Sequence, residues 1–198
     1  MAKVHPQLTS SSSPSSSKQE VFTIWMKSLV LSGRGCTVFD SDGEIVYRVD
    51  NYSEKCSQEV HLMDLGGRVL FTILKKKFKL VGCWEGYRAT GSELNRGRPG
   101  FLVRRKPFRV LNGPSSCEVF VGLDKNDLQQ YKMESKSKNL SWKIVDKLGG
   151  LVAEVKRKTS AGGVDLGDDV LTMVVEPNID HSLVMGLVVV YSLINNKM

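Results

Sequence analysis

The chain has 198 residues, a mass of 22.0 kDa and a formal net charge of +7, and 41% of its residues are hydrophobic. These values are typical of one globular domain with a substantial core. They exclude a multi-span membrane protein and a wholly disordered chain. The positive charge indicates acidic partners, such as phospholipids or nucleic acid, without specifying the fold.

The N-terminal segment, MAKVHPQLTSSSSPSSSK, is polar and rich in serine. It lacks the apolar stretch of a secretory signal, and the absence of arginine argues against a transit peptide. We therefore predict a disordered segment over residues 1–18 and a single domain over residues 19–198. A cytoplasmic protein is expected, with a peripheral plasma-membrane or nuclear location as the alternatives.

From Val21 onward, short apolar or alternating runs recur about every ten residues, separated by Gly, Asn, Asp and Ser. This spacing predicts an all-β meander of about a dozen strands. The candidate strands are VFTIWMKSLV, CTVFD, EIVYRVD, QEVHLMD, RVLFTIL, KFKLVGCWEGYRAT, FLVRR, FRVLN, SCEVFVGL, QQYKME, SWKIVD, LVAEVKR and VLTMVVE.

One pattern, D-x-x-G-x-h-h-x-x-h with h aliphatic, begins at Asp40, at Asp64 and at Asp146. An aspartate side chain can accept nearby backbone N–H groups and glycine supplies a positive φ, so the pattern predicts tight hairpin turns. Shared turn chemistry and internal duplication both remain open as its origin. The turn at Asp40 does not fit an EF-hand loop, because its glycine falls too early.

The residues that bind metals or perform catalysis are scattered. The cysteines at positions 36, 56, 83 and 117 form no C-x-x-C pair, which indicates reduced, mostly buried thiols rather than disulfides or zinc ligands. His181 stands beside Asp180 and Ser182, but neighbours on a helix point apart, so a role at the helix start is favoured over a catalytic triad. We expect no enzyme, no metal and no cofactor.

The most apolar segment lies near the C-terminus, where Leu183–Ile194 carries no charge. As a helix this run would cover about 18 Å, which is short of the roughly 30 Å hydrocarbon core of a bilayer. It also lacks the charged face of a helix that lies on a membrane. A segment that is apolar on every side is expected to be buried on every side.

Both helix and strand are open for this segment. Three consecutive valines, 188–190, favour a strand, whereas its length and the N-cap position of Asp180 favour a helix. We prefer a helix over about 180–195. Its predicted core residues are Leu183, Val184, Leu187, Val188, Val190 and Ile194. About twelve strands and one buried helix predict a closed antiparallel barrel with the helix through its middle.

Five stretches carry a resemblance to a known family: TVFDSDGEIVYRVD, VHLMDLGGRVLFTILKKK, CWEGYRA, KIVDKLGGLVAEVKRK and VEPNIDHSLVMGLVVVYSLI. The chain resembles the LURP-one-related proteins of plants, which are members of the tubby C-terminal-like superfamily together with the phospholipid scramblases. The resemblance implies a twelve-stranded antiparallel barrel around a central C-terminal helix. It also implies an association with plant defence, and membrane tethering, transcriptional regulation or scramblase-like lipid transfer as classes of function.

The resemblance to scramblases implies a calcium site in the region of Asp165, Asp168 and Asp169. The spacing and the ligand types differ here, and we expect no metal. The resemblance to tubby proteins implies that basic side chains on the barrel exterior hold phosphoinositide headgroups.

Basic residues cluster along the chain, and cations near an anionic membrane contribute about 1 kcal/mol each. We therefore predict a non-enzymatic, monomeric protein that binds anionic phospholipid. The candidate residues are Lys75, Lys76, Lys77, Lys79, Arg96, Arg98, Arg104, Arg105, Lys106 and Arg109, with Lys156–Lys158 as a further basic group. Nucleic acid is the weaker alternative: Phe78, Phe101 and Phe108 interleave with the cations, but no nucleic-acid-binding motif is present. The sequence identifies no protein partner.

Overall fold

The structure is a computed structural model that describes residues 17–27, 34–51, 59–76, 82–90, 93–94, 97–105, 116–122, 128–135 and 141–195. Within these ranges it contains thirteen strands and one C-terminal helix. They are β1 Glu20–Trp25, β2 Arg34–Phe39, β3 Ile45–Asn51, β4 Glu59–Asp64, β5 Val69–Lys76, β6 Cys83–Thr90, β7 Glu93–Leu94, β8 Phe101–Arg105, β9 Ser116–Val121, β10 Gln129–Ser135, β11 Trp142–Asp146, β12 Leu151–Arg157, β13 Val170–Val175 and α1 His181–Ile194.

Twelve of the strands form a closed antiparallel ring. The order is β5-β4-β3-β2-β1-β13-β12-β11-β10-β9-β8-β6, and pairing of β5 with β6 closes it. Closure gives each ring strand a partner on both sides, which removes the exposed edges of an open sheet. The short β7 pairs with the end of β6 and adds no strand to the ring. The predicted barrel of about twelve strands around a buried C-terminal helix is confirmed.

The strand predictions differ from the structure at particular boundaries. The strand predicted from Val21 ends at Trp25, after which the N–H of Met26 bonds to the carbonyl of Asp169. The two-residue β7 was not predicted, because it is too short for an alternating pattern. The predicted strand FRVLN lies outside the described residues, as do residues 1–16 of the predicted N-terminal tail. The last two residues of that tail, Ser17 and Lys18, are described and exposed.

The three predicted turns share one hydrogen-bond pattern. In each, the glycine N–H donates to the carbonyl of the aspartate, and the carboxylate accepts from the backbone N–H four residues on. Gly43, Gly67 and Gly149 have φ values of +84°, +80° and +89°, which favour glycine. A fourth turn at Ser160 has the same geometry, with the serine hydroxyl accepting from Val164. It was missed because serine replaces the aspartate of the pattern.

The barrel has two distinct ends. The turns at Asp40, Asp64 and Asp146 lie at the end where α1 begins, which we call the N-cap end. The turn at Ser160 lies at the opposite end, where α1 finishes, which we call the C-cap end. Contacts at both of its ends show the direction of α1. At its start, His181 contacts Glu20 of β1 and Asp180 contacts Arg88 of β6. Near its end, the Tyr191 ring stacks on that of Trp142 of β11, with 4.1 Å between the ring centroids.

Hydrogen bonds at its start explain why the C-terminal segment is a helix rather than a strand. The Asp180 carboxylate accepts from the backbone N–H groups of Ser182 and Leu183, and it also binds Arg88 of β6. Burial alone would raise the pKa of Asp180, but the hydrogen bond from the Ser182 hydroxyl and the Arg88 guanidinium outweigh it and hold this pKa below its ordinary value. These contacts satisfy donors that a helix start leaves without partners.

The helix fills the barrel interior. Val184, Leu187, Val188 and Val190 are each at most 1% exposed. Leu183 and Ile194, which were also predicted as core, are only partly buried, because they lie in the first and last turns near the barrel mouths. Phe101 of β8 fills the space between wall and helix, where its ring lies against Gly86 and Gly186.

Candidate anion-binding surface

The pairing of β5, β6 and β8 brings four of the predicted cations together at the C-cap end. Lys76 is registered opposite Cys83 of β6, and Cys83 is registered opposite Arg104 of β8. Since neighbouring strands are about 4.8 Å apart, the backbones of Lys76 and Arg104 are about 10 Å apart. We call Lys75, Lys76, Arg104 and Arg105 the basic surface.

Strand alternation divides these four residues between two orientations. Lys76 and Arg104 lie on the outer face of the wall, whereas Lys75 and Arg105 continue the inward rows of Ile73 and Val103 and therefore lie at the barrel mouth. Lys75 and Arg104 are exposed. The Lys75 ammonium lies 5.7 Å from the centroid of the Trp84 ring, and the Arg104 guanidinium lies 5.4 Å from that of Phe120. Their charges remain open to an anion in solvent.

Lys76 has a carboxylate partner on the neighbouring strand β6. Its Nζ lies 2.8 Å from Oε2 of Glu85, and the Tyr87 hydroxyl donates to the same oxygen at 2.6 Å. The hydrogen bond with Glu85 raises the pKa of Lys76, and burial with the same carboxylate raises the pKa of Tyr87. Glu85 is therefore the counter-ion of Lys76 within the basic surface. Sequence analysis missed it, because the contact depends on the pairing of β5 with β6.

Arg98 does not join the basic surface. It precedes β8 at the N-cap end, whereas Arg104 lies at the C-cap end of the same strand. The two residues are close in sequence, but an extended strand carries its termini to opposite ends of a barrel. The other candidates, Lys77, Lys79, Arg96, Lys106 and Arg109, lie outside the described residues.

The further basic group reaches the C-cap end on β12, four places along the ring from β8. Arg157 is bound by Asp165 and Asp168, and Lys158 donates to the Thr23 hydroxyl. Asp169 is bound by Lys27. The hydrogen bond from Lys27, together with one from the backbone, lowers the pKa of the Asp169 carboxyl. Ion pairs with basic side chains thus account for all three aspartates of this region.

The two ends of the barrel differ in charge. Among the described side chains, acidic residues outnumber basic ones at the N-cap end: Glu20, Asp40, Asp42, Glu44, Asp64, Asp146, Glu176 and Asp180 against Lys18, Arg48, Arg68, Arg88, Arg98 and Lys147. Basic residues outnumber acidic ones at the C-cap end: Lys27, Lys75, Lys76, Arg104, Arg105, Lys132, Lys143, Lys156, Arg157 and Lys158 against Glu59, Glu85, Glu118, Glu134, Asp165, Asp168 and Asp169. An anionic partner is therefore favoured at the C-cap end.

Contacts at the N-cap end explain His181. The side chain is 3% exposed, its Nδ1 lies 3.3 Å from Oε2 of Glu20, and its ring lies 5.3 Å from that of Phe22. These contacts hold the start of α1 in the barrel. The described part of the chain contains no group of three or more His, Cys, Asp or Glu side chains placed to bind a metal ion. In that part, no helix has both the length and the apolar character needed to cross a bilayer.

Comparisons with known proteins agree with this architecture. A crystal structure of a protein from Arabidopsis thaliana is similar with a TM-score of 0.64, covering 91% of this chain and 94% of that one. Its sequence identity is 17%, so the likeness shows the fold alone.

Similar sequences establish the family. Protein LURP-one-related 11 of Arabidopsis thaliana is 51% identical, with 98% of this chain and 89% of the relative covered. Protein LURP-one-related 3 of the same plant is 45% identical, with 99% and 86% covered. The profile of the LURP-one-related family matches residues 20–192. The chain belongs to the LURP-one-related family.

Proposed function

We propose that this protein is a non-enzymatic adaptor that binds anionic phospholipid surfaces, including phosphoinositides, with the C-cap end of its barrel. The observation that carries the proposal is the convergence of Lys75, Lys76, Arg104 and Arg105 on neighbouring strands at that end. The association with plant defence implied by the resemblance to the LURP-one-related proteins makes defence signalling its proposed setting.

The geometry favours a broad anionic surface over a small enclosed ligand. The four cations share one end of the barrel, but they are spread over its outer wall and its mouth and do not enclose a single ligand. Each cation near an anionic membrane contributes about 1 kcal/mol, so the basic surface would give reversible, salt-dependent binding. Nucleic acid is less favoured, because Phe101, one of the aromatics considered for base stacking, is 0% exposed. Lipid transfer that requires α1 to enter a membrane is also less favoured, because α1 fills the core of the barrel.

The experiment is co-sedimentation of the full chain with vesicles of phosphatidylcholine alone, or with phosphatidylserine or a phosphoinositide added. We expect retention only on the anionic vesicles, and a fall in retention as salt is raised. Replacing Lys75 and Arg104 together by alanine should weaken retention about 30-fold, since two contributions of about 1 kcal/mol are removed.

The matched control replaces Arg98 and Lys147 by alanine. It removes the same two charges from the N-cap end and should bind like the unmodified protein. Competition with a soluble inositol phosphate distinguishes headgroup recognition from general attraction to the surface. Retention that is indifferent to anionic lipid and to salt would contradict the proposal, as would equal weakening in the two double variants.

A further inference from the structure

The C-cap end exposes an aromatic side chain beside its cations. The protein has three tryptophans, of which Trp84 and Trp142 are 3% and 5% exposed, whereas Trp25 is 37% exposed. Trp25 is the last residue of β1 and faces outward, since Phe22 and Ile24 on the same strand fill the core. A large aromatic ring with one polar N–H is suited to a boundary between water and an apolar phase.

Two further exposed apolar residues belong to the β12–β13 connection, at the same end of the barrel as Trp25. Trp25 is registered opposite Val170, whose carbonyl accepts from the N–H of Lys158, and the Lys158 carbonyl accepts from the N–H of Leu166. Leu166 is 49% exposed and Val164 is 67% exposed. We call Trp25, Val164 and Leu166 the apolar patch.

The apolar patch belongs to an ordered part of the molecule. The Trp25 Nε1 donates to Asp169 at 3.4 Å, and the Lys27 ammonium lies 5.7 Å from the centroid of its ring. The Ser160 turn holds Val164 through its backbone N–H and carbonyl. Because these contacts fix the patch in the free protein, docking would require little further loss of conformational entropy.

Basic and acidic side chains both adjoin the apolar patch, with Lys27, Lys156, Arg157 and Lys158 against Asp165, Asp168 and Asp169. Lys27 is largely exposed and binds Asp169, Arg157 binds Asp165 and Asp168, and Lys156 is exposed. Apolar side chains rimmed by lysines, with an aromatic among them, are what protein segments present to the headgroup region of a bilayer. A protein partner with a purely acidic surface would leave Trp25 and Leu166 without apolar contacts.

We infer that the apolar patch inserts shallowly into the headgroup region of an anionic membrane while the basic surface contacts the phosphates. This inference rests on the proposed function and adds an apolar contribution to it. The N-cap end also exposes apolar residues, Leu65 and Leu148 among them, but acidic side chains predominate there and would repel such a membrane. The C-cap end therefore faces the lipid, and the N-cap end faces solvent.

Tryptophan fluorescence tests the inference directly, because Trp25 is the one exposed tryptophan of the protein. The full chain is titrated with vesicles of phosphatidylcholine and phosphatidylserine. We expect a blue shift of emission, protection from iodide, and quenching by brominated lipid, and Trp25→Phe should abolish all three while it retains vesicle binding. Trp25→Ala should weaken co-sedimentation about ten-fold through lost apolar contact.

Leu166→Ser should also weaken binding. Because Leu166 lies outside the barrel wall, this variant replaces Trp25→Ala in the test if Trp25→Ala lowers the melting temperature. Leu148→Ser at the opposite end is the matched control and should bind like the unmodified protein. The inference is overturned if anionic vesicles retain the protein but Trp25 emission and quenching do not change. Emission changes with phosphatidylcholine alone would instead support the patch and contradict the electrostatic proposal, and no retention on any vesicle overturns both.

Discussion

At the scale of single residues, Glu85 determines how much of its positive charge the basic surface presents. Its Oε2 accepts from both Lys76 and Tyr87, so Lys76 is compensated while Lys75 and Arg104 remain open. An incoming phosphate must either share Lys76 with this carboxylate or displace it. Glu85 therefore opposes anion binding by an amount that substitution can measure.

Glu85→Gln should increase retention on anionic vesicles about five-fold at low salt, because it releases one cation worth about 1 kcal/mol. The glutamine amide oxygen can still accept from the Tyr87 hydroxyl, so the fold should be unaffected. Co-sedimentation at a series of salt concentrations measures the effect, which should diminish as salt is raised.

Glu134→Gln is the control for net charge. Glu134 is bound by Lys132 and Lys143 on the outer wall of β10 and β11, and neither lysine belongs to the basic surface. The hydrogen bond from Lys132 lowers the pKa of Glu134. Both substitutions remove one negative charge. An equal gain in retention from both would indicate general attraction, and the assignment of the site to β5, β6 and β8 would be wrong.

At the scale of elements, the turns were predictable and the side-chain contacts between elements were not. The Asp-x-x-Gly turns follow from local chemistry, in which one side chain and one positive φ fix the reversal. The contacts of Glu85 with Lys76 and of Arg88 with Asp180 depend on which strands close the ring. Chain order favours pairing of the consecutive strands β5 and β6. Their connection carries no turn pattern that fixes the register, so the side chains that face each other could not be predicted.

Among the described glycines, Gly86 of β6 leaves the least room for a Cβ atom. A Cβ there would lie 2.1 Å from the Phe101 ring, which has no free space because it also contacts Gly186 of α1. Gly86→Ala should lower the free energy of unfolding by about 3 kcal/mol, the upper range for an overpacked core. Urea denaturation followed by circular dichroism measures this loss.

Gly82→Ala is the matched control, because Gly82 is exposed and a Cβ there would meet no atom within 4 Å. Its stability should change by less than about 0.5 kcal/mol. Phe101→Leu in the Gly86→Ala background should recover part of the loss by making room for the methyl group. Equal stability of the two alanine variants would show that Phe101 does not lie over Gly86.

At the scale of the whole molecule, the burial of α1 was predictable because it follows from a physical limit. The apolar run is too short to span a bilayer and too apolar to lie on its surface. It must therefore be buried inside the protein. The arrangement of charge was not predictable in the same way. Arg98 and Arg104 lie in one basic run of the sequence, yet Arg98 precedes β8 at the N-cap end and Arg104 lies near the other end of that strand.

Val188→Asp tests whether α1 is structural or membrane-inserting. Val188 is 1% exposed within the core, so the substitution places a carboxylate where it has no solvent and no partner. The expected cost of more than about 4 kcal/mol is a large part of the stability of an ordinary domain, and the variant should lose cooperative melting and protease resistance. Leu148→Asp, at a side chain 95% exposed, introduces the same residue and should melt normally. A helix that served to enter membranes would give the opposite result: Val188→Asp would melt cooperatively and lose only its retention on vesicles.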